Sequence, residues 1–297
     1  MNLKNSMHKK QKKFKISDFI RLTAAAVSIS CILYLSATVG EYMIQNKEND
    51  EVRQAYELSE TVMPSPIAPY FDSTGNSDDA SIPDESANLA SEVNSPISQS
   101  YAVELYMQQP FKQYDHTGLS TQNSDYRLWL DIPGTSISYP VVQSHTNTDY
   151  LSRTFEGKRR ASGAIFIDAN ITDIDEARNL LIHGHNMKSG SMFGTLPSYK
   201  NLSFYNKHPF VYLYLPNETR VYQVISAYTM PHNAKEEETY QDTFENDEEF
   251  KAFVDRLIQK SVIKTEVPID YDRQILTLST CVNKSTARFV VHAIRYN

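Results

Sequence analysis

The stretch RQILTLSTCVNKSTARFVVHAIRY, residues 273–296, contains two runs of β-branched and apolar residues joined by a polar loop. Runs of this composition are typical of β-strands, and two of them with a loop between predict paired strands. Cys281 stands where the first run ends, so a sheet would hold its backbone while its thiol faces a cleft. The stretch therefore predicts a β-rich fold and a cysteine placed to act as a nucleophile.

The chain contains two cysteines, and the other one, Cys31, falls in an apolar segment near the N-terminus. We therefore expect no intrachain disulfide. An unpaired thiol outside the cell is unusual, because exposed thiols oxidise there. A thiol with a pKa of about 8.5 is mostly protonated at neutral pH, so a catalytic cysteine also needs a base or a nearby cation.

A histidine and an arginine are candidates for these two roles. His185 lies in LLIHGHNMKSGSMFGTL, where an apolar strand ends in a glycine-containing turn, and Gly184 permits close backbone approach. Arg288 begins the second run of the C-terminal stretch, and hairpin pairing would bring it close to Cys281. A guanidinium cannot act as a base, but it can hold a carbonyl oxygen as negative charge develops there.

Residues 101–297 show short β-rich runs separated by turn signals, with few helices. Asp247–Lys260 is the clearest helix, because apolar residues recur there at helical spacing behind a run of acidic residues. The pattern predicts a mainly β fold, an eight-stranded closed or nearly closed barrel rich in antiparallel pairs, with a few short helices. The predicted strands are Tyr126–Asp131, Ser138–Val142, Gly163–Asp168, Asn179–His183, Phe210–Tyr214, Arg220–Met230, Arg273–Thr280 and Arg288–Arg295.

The first hundred residues differ in composition from the rest. Residues 1–21 are basic, and residues 22–40 form an uncharged, moderately apolar run. A run of this length nearly spans a hydrocarbon core of about 30 Å, so we expect a transmembrane signal anchor, with a cleaved signal peptide as the alternative. Residues 41–100, rich in Ser, Pro, Asp and Asn, predict a flexible extracellular stalk, with a short helical piece around 51–60, before a catalytic domain over 101–297. The lysines before the span predict an N-terminus inside the cell and a catalytic domain outside.

The charge and the remaining histidines limit the possible partners and cofactors. A net charge of −7 provides no basic face for nucleic-acid phosphates, so we expect no nucleic-acid partner. A zinc site formed by His183, His185 and Cys281 would have suitable ligand types, but it lacks a persuasive fourth ligand and metal-binding spacing. We therefore expect no metal and no other cofactor, and we expect His208 and His292 to be structural.

Several segments of the chain resemble one protein family. TLSTC at residues 277–281, with His185 upstream and Arg288 downstream, resembles the sortase signature. GHNMKSGSMFGTL, LSFYNKHPFVYLY and WLDIPGTSISYPVVQ look like class B sortases in particular, and the acidic helix before the final strands also fits that class. The resemblance covers essentially all of residues 101–297, and the basic start, membrane span and stalk match the usual layout of the family.

The resemblance implies a cysteine transpeptidase with a twisted eight-stranded barrel, of the kind that anchors proteins to Gram-positive cell walls. Cys281 would attack the threonine carbonyl of a C-terminal sorting motif in a secreted surface protein, and an acyl-enzyme would form. His185 would protonate the leaving amine, and Arg288 would stabilise the tetrahedral intermediate. An amino group of a peptidoglycan cross-bridge or of its lipid-linked precursor would then resolve the thioester, without a metal.

The resemblance also implies a set of substrate-binding residues. Asn147 and Leu151 in NTDYL resemble a pair on a substrate-binding loop of class B enzymes, and Ser279 would share the side of its strand with the cysteine. Two positions near the bound peptide depart from the family pattern. Some class B members have a tyrosine in place of His183, and an acidic residue in place of Val282.

Three other functions remain open from the sequence. In a thiol hydrolase the same acyl-enzyme would form, and water would be the productive acceptor. A pilin polymerase would join subunits through a lysine of its substrate. A wall-associated binding module would be a different class of protein, in which the cysteine is merely a small buried residue.

Overall fold

A computed structural model describes residues 16–62, 111–231, 237–281 and 287–297 of the chain. Two compact units, Met1–Glu48 and Asn49–Asn297, divide the molecule. Helix α1 (Ile16–Tyr56) begins in the first unit, and from Thr23 onwards it is long and apolar enough to cross a membrane. A signal sequence near the N-terminus would meet the same criteria of length and composition.

The beginning of the predicted stalk has regular secondary structure. Residues 41–62, which their composition assigned to a flexible segment, are the end of α1 and strand β1 (Glu57–Val62). Strand β1 pairs in antiparallel fashion with β2 (Phe111–Tyr114), so its backbone groups are satisfied by a partner distant in sequence. The predicted helical piece around 51–60 falls across the end of α1 and the start of β1. Residues 63–100 lie outside the described part of the chain.

Burial of apolar side chains explains why this segment is ordered. Val52 is buried, and Val52 and Tyr56 both pack into an aromatic cluster that contains Tyr114 and Trp129. The Tyr114 and Trp129 rings stack with centroids 4.3 Å apart. The amide of Asp115 donates a hydrogen bond to Tyr56 O at 2.9 Å, just before helix α2 (His116–Gln122). A low average content of apolar residues in a long segment does not exclude a few well-placed ones.

Eight further strands close into a barrel, which confirms the predicted fold class. The strands are β3 (Tyr126–Asp131), β4 (Ser138–Val142), β5 (Ile165–Ile167), β6 (Asn179–His185), β7 (Phe210–Tyr214), β8 (Thr219–Pro231), β9 (Ile275–Cys281) and β10 (Ala287–Arg295). Around the barrel they follow the order β3, β4, β5, β6, β9, β10, β8, β7. The pairs β4/β5 and β6/β9 are parallel, and the other neighbouring pairs are antiparallel.

The barrel interior is filled by alternate residues of these strands. On β6 and β9, the apolar residues Leu180, Ile182, Leu276 and Leu278 are fully buried in the central core. Because successive residues of a strand point to opposite faces, the intervening positions lie on the outer face of the barrel. These outer positions at the ends of the two strands are His183, His185, Ser279 and Cys281.

Helix α5 (Asp247–Lys260) covers the outer barrel surface beside these strands and has the predicted boundaries. Asn246 caps its N-terminus with a side chain that accepts a hydrogen bond from the Glu249 amide at 2.9 Å, and three acidic residues occupy its first turn. Phe250, Phe253 and Leu257 are buried in a cluster with apolar residues of β8, β9 and β10. The described part of the chain also contains the short α-helices α3 (Leu202–Lys207) and α4 (Glu237–Tyr240), and single 3-10 turns at Asp149–Leu151 and Leu196–Lys200.

Candidate active site

The predicted nucleophile and its predicted acid/base partner end two neighbouring parallel strands. His185 is the last residue of β6, Cys281 is the last residue of β9, and their Cα atoms are partners in the strand register. Two residues earlier, His183 is the partner of Ser279. Adjacent strands lie about 4.8 Å apart, so the four positions occupy one small area of the outer face.

The predicted oxyanion residue enters this area from the opposite side of β9. Strand β10 runs antiparallel to β9, and the pairing described next to the site is Val290 with Ser279. Arg288 lies two residues before Val290 on β10, which borders β9 on the side away from β6. His185 and Arg288 therefore come from the two strands that flank β9, the strand that ends in Cys281.

The His185 ring is held by a backbone carbonyl. Its Nε2 lies 2.7 Å from Leu151 O, and the residue is only 6% exposed. A carbonyl oxygen can only accept, so Nε2 carries a hydrogen and donates it. In a neutral imidazole this leaves Nδ1 as the nitrogen available for proton exchange. The amide of Phe193 donates to His185 O at 2.9 Å and fixes the chain after the histidine.

The predicted substrate-binding pair lies on the loop between β4 and β5. Leu151 is half-buried and supplies the carbonyl that holds His185. Asn147 uses both polar atoms of its side chain within the protein. Its Nδ2 donates to Asp168 Oδ2 at 3.0 Å, and its Oδ1 accepts from the Ala169 amide at 2.7 Å. The side-chain amide of Asn147 therefore holds the loop in place.

His183 forms a buried pair with Asp168, which follows directly after β5. His183 Nε2 lies 2.8 Å from Asp168 Oδ2. Burial by itself would raise the pKa of Asp168, but hydrogen bonds from His183, the Asn170 amide and Asn147 outweigh it and hold this pKa below its ordinary value. The carboxylate is therefore ionised at neutral pH, and His183 Nε2 carries the hydrogen between them.

Tyr240 connects several of these residues, and it was not predicted from the sequence. Its hydroxyl lies 2.5 Å from Ser279 Oγ, and its ring meets the His183 ring edge to face with centroids 5.8 Å apart. The guanidinium carbon of Arg288 lies 5.5 Å from the same ring centre. Tyr240 is one of 19 tyrosines and has no distinctive spacing, so no signal in the sequence would have selected it.

Asp168 was also missed as a site residue, although a signal for it existed. It is the last residue of a predicted strand, where a carboxylate often contributes to a site.

No group of three His, Cys, Asp or Glu side chains suited to a metal occurs among the residues that the structure describes. Each of the two histidines in the site uses its Nε2 for a hydrogen bond, His183 to a carboxylate and His185 to a carbonyl.

Comparisons with known proteins show which family this chain is similar to. A family model described as the sortase domain matches residues 130–296. Sortase B of Staphylococcus aureus is 32% identical to this chain over 200 residues, which are 66% of the chain and 81% of that protein. Two solved structures, a Staphylococcus aureus sortase B–substrate complex and a sortase B complexed with triglycine, each share 34% identity with a TM-score of 0.58. Each match covers 61% of this chain, and 84% and 85% of those two chains, respectively.

Proposed function

Because the chain belongs to the sortase family, and within it to class B, we propose that Cys281, His185 and Arg288 form its catalytic centre. A class B sortase is a cysteine transpeptidase that anchors surface proteins to the cell wall. The family match includes the strands that carry all three residues. A thiol hydrolase, a pilin polymerase and a non-enzymatic wall module are not favoured by these comparisons.

The observation that carries the assignment of the residues is the register of β6 and β9. It sets His185 beside Cys281 at the ends of two parallel strands, on one face of the sheet. Residues at such strand ends are held by the sheet on one side and are open to a ligand on the other. The register therefore supports the proposal that the thiol and the imidazole act on the same carbonyl group of the substrate.

Before the attack, the Cys281 thiol gives its proton to Nδ1 of His185. In the proposed first step, the resulting Cys281 thiolate attacks the carbonyl carbon of the threonine in a sorting motif. The N–H groups of Arg288 stabilise the negative charge that develops on the carbonyl oxygen. The bond between carbon and nitrogen then breaks, and the leaving amine takes a proton from Nδ1 of His185. A thioester between Cys281 and the N-terminal part of the surface protein remains.

In the proposed second step, an amine attacks the thioester carbon and His185 accepts the proton that the amine loses. The new amide bond forms as the sulfur leaves, and Cys281 returns to its starting state. We propose an amino group of a peptidoglycan cross-bridge or of a lipid-linked precursor as the acceptor. A related sortase B has been solved in complex with triglycine, which makes this peptide a suitable test amine.

The proposed substrate-binding residues surround this centre. Asn147 shapes the loop next to His185, and the half-buried side chain of Leu151 projects from the same loop. Ser279 and His183 lie one outer position before the two catalytic residues, Cys281 and His185, on β9 and β6. The sorting motif would therefore lie across the ends of these two strands, between the loop and Tyr240.

Sortases are cell-surface enzymes, and the apolar part of α1 is compatible with a membrane anchor. We propose that residues 22–40 span the membrane once, with the basic residues 1–21 inside the cell and the catalytic domain outside. The lysines before the span support this orientation.

The test uses the full chain in detergent, a library of sorting-motif peptides and triglycine. Mass analysis should detect a peptide thioester on the wild-type enzyme and, after triglycine is added, a ligated product. Cys281→Ala and His185→Ala should form no detectable adduct. Cys31→Ala removes the other cysteine and should retain full capture. An adduct on the Cys281→Ala variant would exclude the proposed nucleophile, and free acid unaffected by triglycine would favour a hydrolase.

A further inference from the structure

His183 lies two residues before the proposed catalytic histidine, and its imidazole is paired with the carboxylate of Asp168. The side chains of His183 and Asp168 are each about 10% exposed, and their hydrogen bond is 2.8 Å long. His183 lies on the same outer face of β6 as His185, packed against the rings of Phe166 and Tyr240. The two catalytic steps described above do not use the pair.

The pair is connected to the catalytic histidine through the loop between β4 and β5. Asp168 accepts from His183 and, on the same oxygen, from Asn147. Four residues after Asn147, the carbonyl of Leu151 accepts from His185. These contacts form a closed path that leaves β6 at His183 and returns to β6 at His185. We call the three residues His183, Asp168 and Asn147 the relay.

The loop has other attachments, and they show which part of it depends on the relay. On one side, Tyr150 is anchored through its hydroxyl to Asp125 at 2.8 Å, and its carbonyl accepts from the Ala164 amide at 2.9 Å. At the start of the loop, the Gln143 side chain donates to Asp168 O at 3.2 Å. Loss of the relay would therefore shift the middle of the loop without unfolding it.

A small shift of this loop has a direct effect on the imidazole. The Leu151 carbonyl is the hydrogen-bond acceptor that selects the Nε2–H form of His185 and leaves Nδ1 unprotonated. If the carbonyl moves away, the ring can rotate and the other tautomer becomes more populated. A misplacement of about 1 Å in a catalytic group can lower a rate by about 100-fold.

We propose that His183 and Asp168 are positioning residues for the transpeptidation, and that they act through Asn147 to hold the Leu151 carbonyl against the His185 imidazole. The inference rests on the proposed roles of His185 and Cys281. It assigns to His183 the role of a hydrogen-bond donor through Nε2. This positioning role is separate from the substrate contacts proposed above for His183 and Asn147.

The test compares two substitutions of His183 that differ in this donor. In His183→Gln, the side-chain amide can place an N–H near the position of Nε2, whereas His183→Met fills similar space without a donor. We expect His183→Met to lower kcat for thioester formation about 10- to 100-fold, with KM changed less than about threefold. His183→Gln, which keeps a donor, should recover a large part of this loss, with a kcat at least about threefold higher than that of His183→Met.

Two further variants complete the experiment. Asn147→Ala breaks the relay on a half-exposed loop, outside the core, so it keeps the proposal testable if His183→Met does not fold. His208→Met makes the same substitution at an imidazole that bonds Pro133 O at 2.8 Å elsewhere, and kcat should not change. Nitrogen-15 NMR of the His185 ring should show less Nε2–H tautomer in His183→Met and in Asn147→Ala than in the wild type.

Equal kcat values for His183→Met and His183→Gln, or an unchanged His185 tautomer in Asn147→Ala, would overturn the proposal. Cys281→Ala and His185→Ala are measured in the same assay. If they retain activity, the proposed function itself is wrong. If they lose activity while His183→Met and Asn147→Ala keep it, only the positioning role is wrong.

Discussion

The guanidinium carbon of Arg288 lies 5.5 Å from the centre of the Tyr240 ring. Tyr240 belongs to the short helix α4, and Arg288 lies at the start of β10, so the contact joins segments that are distant in the sequence. A contact of this kind contributes about 0.5–1 kcal/mol when it is partly exposed. It holds a planar cation next to the strand that ends in Cys281.

A change of Arg288 to lysine tests the need for a planar donor. Arg288→Lys keeps the charge but replaces a fork of N–H donors with a single ammonium group. The complete loss of one oxyanion donor lowers kcat about 100-fold or more. Because the lysine keeps the charge and an ammonium donor, we expect kcat for thioester formation to fall by less, about 10- to 100-fold. Arg295→Lys, at the other end of the same strand, is the matched control and should leave kcat unchanged. Normal turnover in Arg288→Lys would remove its oxyanion role.

Two substitutions of Tyr240 separate its hydroxyl from its ring. Tyr240→Phe leaves the fully buried hydroxyl of Ser279 without its 2.5 Å partner, so we expect the free energy of unfolding to fall by about 1 kcal/mol. The Phe variant should keep kcat within about threefold. Tyr240→Ala also removes the ring that contacts Arg288 and His183, and kcat should fall about 10-fold or more. Urea unfolding and peptide kinetics measure both effects, and identical kcat values for the two variants would contradict this division.

Gly184 lies between the two site histidines and faces the barrel core. A methyl group at this position would approach Ile165 Cδ1 to 2.3 Å and Phe193 Cδ2 to 2.8 Å. Overpacking of this kind costs about 1–3 kcal/mol, so Gly184→Ala should lower Tm by about 2–4 °C for each kcal/mol lost. Ile165→Val removes the nearest atom and should restore part of the Tm in the double variant. If the Gly184→Ala protein is as stable as the wild type, the core accommodates the added methyl group and the predicted overpacking is wrong.

His292 predicts a dependence of stability on pH. Burial, with Lys260 as a second cause, lowers the pKa of His292 to about 3. Its ring stacks on Tyr228, and Nδ1 bonds Thr277 Oγ1 at 2.9 Å. The unfolded chain takes up this proton below about pH 6.5 and the folded chain does not, so stability is lost as pH falls from 6.5 towards 3.

The loss amounts to about 1.4 kcal/mol per pH unit, or about 2 kcal/mol between pH 6.5 and pH 5. Urea unfolding at pH 7 and at pH 5 measures it, with His292→Gln as the comparison. The Gln variant starts from a lower stability but should lose about 2 kcal/mol less than the wild type on acidification. The same loss in both proteins would show that other groups account for the pH dependence.

The strands and the main helix could be predicted because their signals are local. Asp247–Lys260 has a capping residue, acidic residues in its first turn and apolar residues at helical spacing, and the helix has those boundaries. Strand β6 extends two residues beyond its predicted end, to His185, since the glycine at 184 interrupts the apolar pattern while the ladder to β9 continues. The order at the start of the stalk was missed, because it depends on pairing with residues about fifty positions away.

Residue types at short spacing were enough to predict the strands, the helix, the apolar N-terminal segment and the candidate cysteine, histidine and arginine. Only the folded barrel makes β6 and β9 parallel neighbours, so that His185 stands beside Cys281. The same folding brings Asp168, Tyr240 and the Leu151 carbonyl to the site as supporting groups. The physical reason is that hydrogen bonds and ring contacts between distant segments depend on how the barrel closes, and no local pattern of residues encodes that closure.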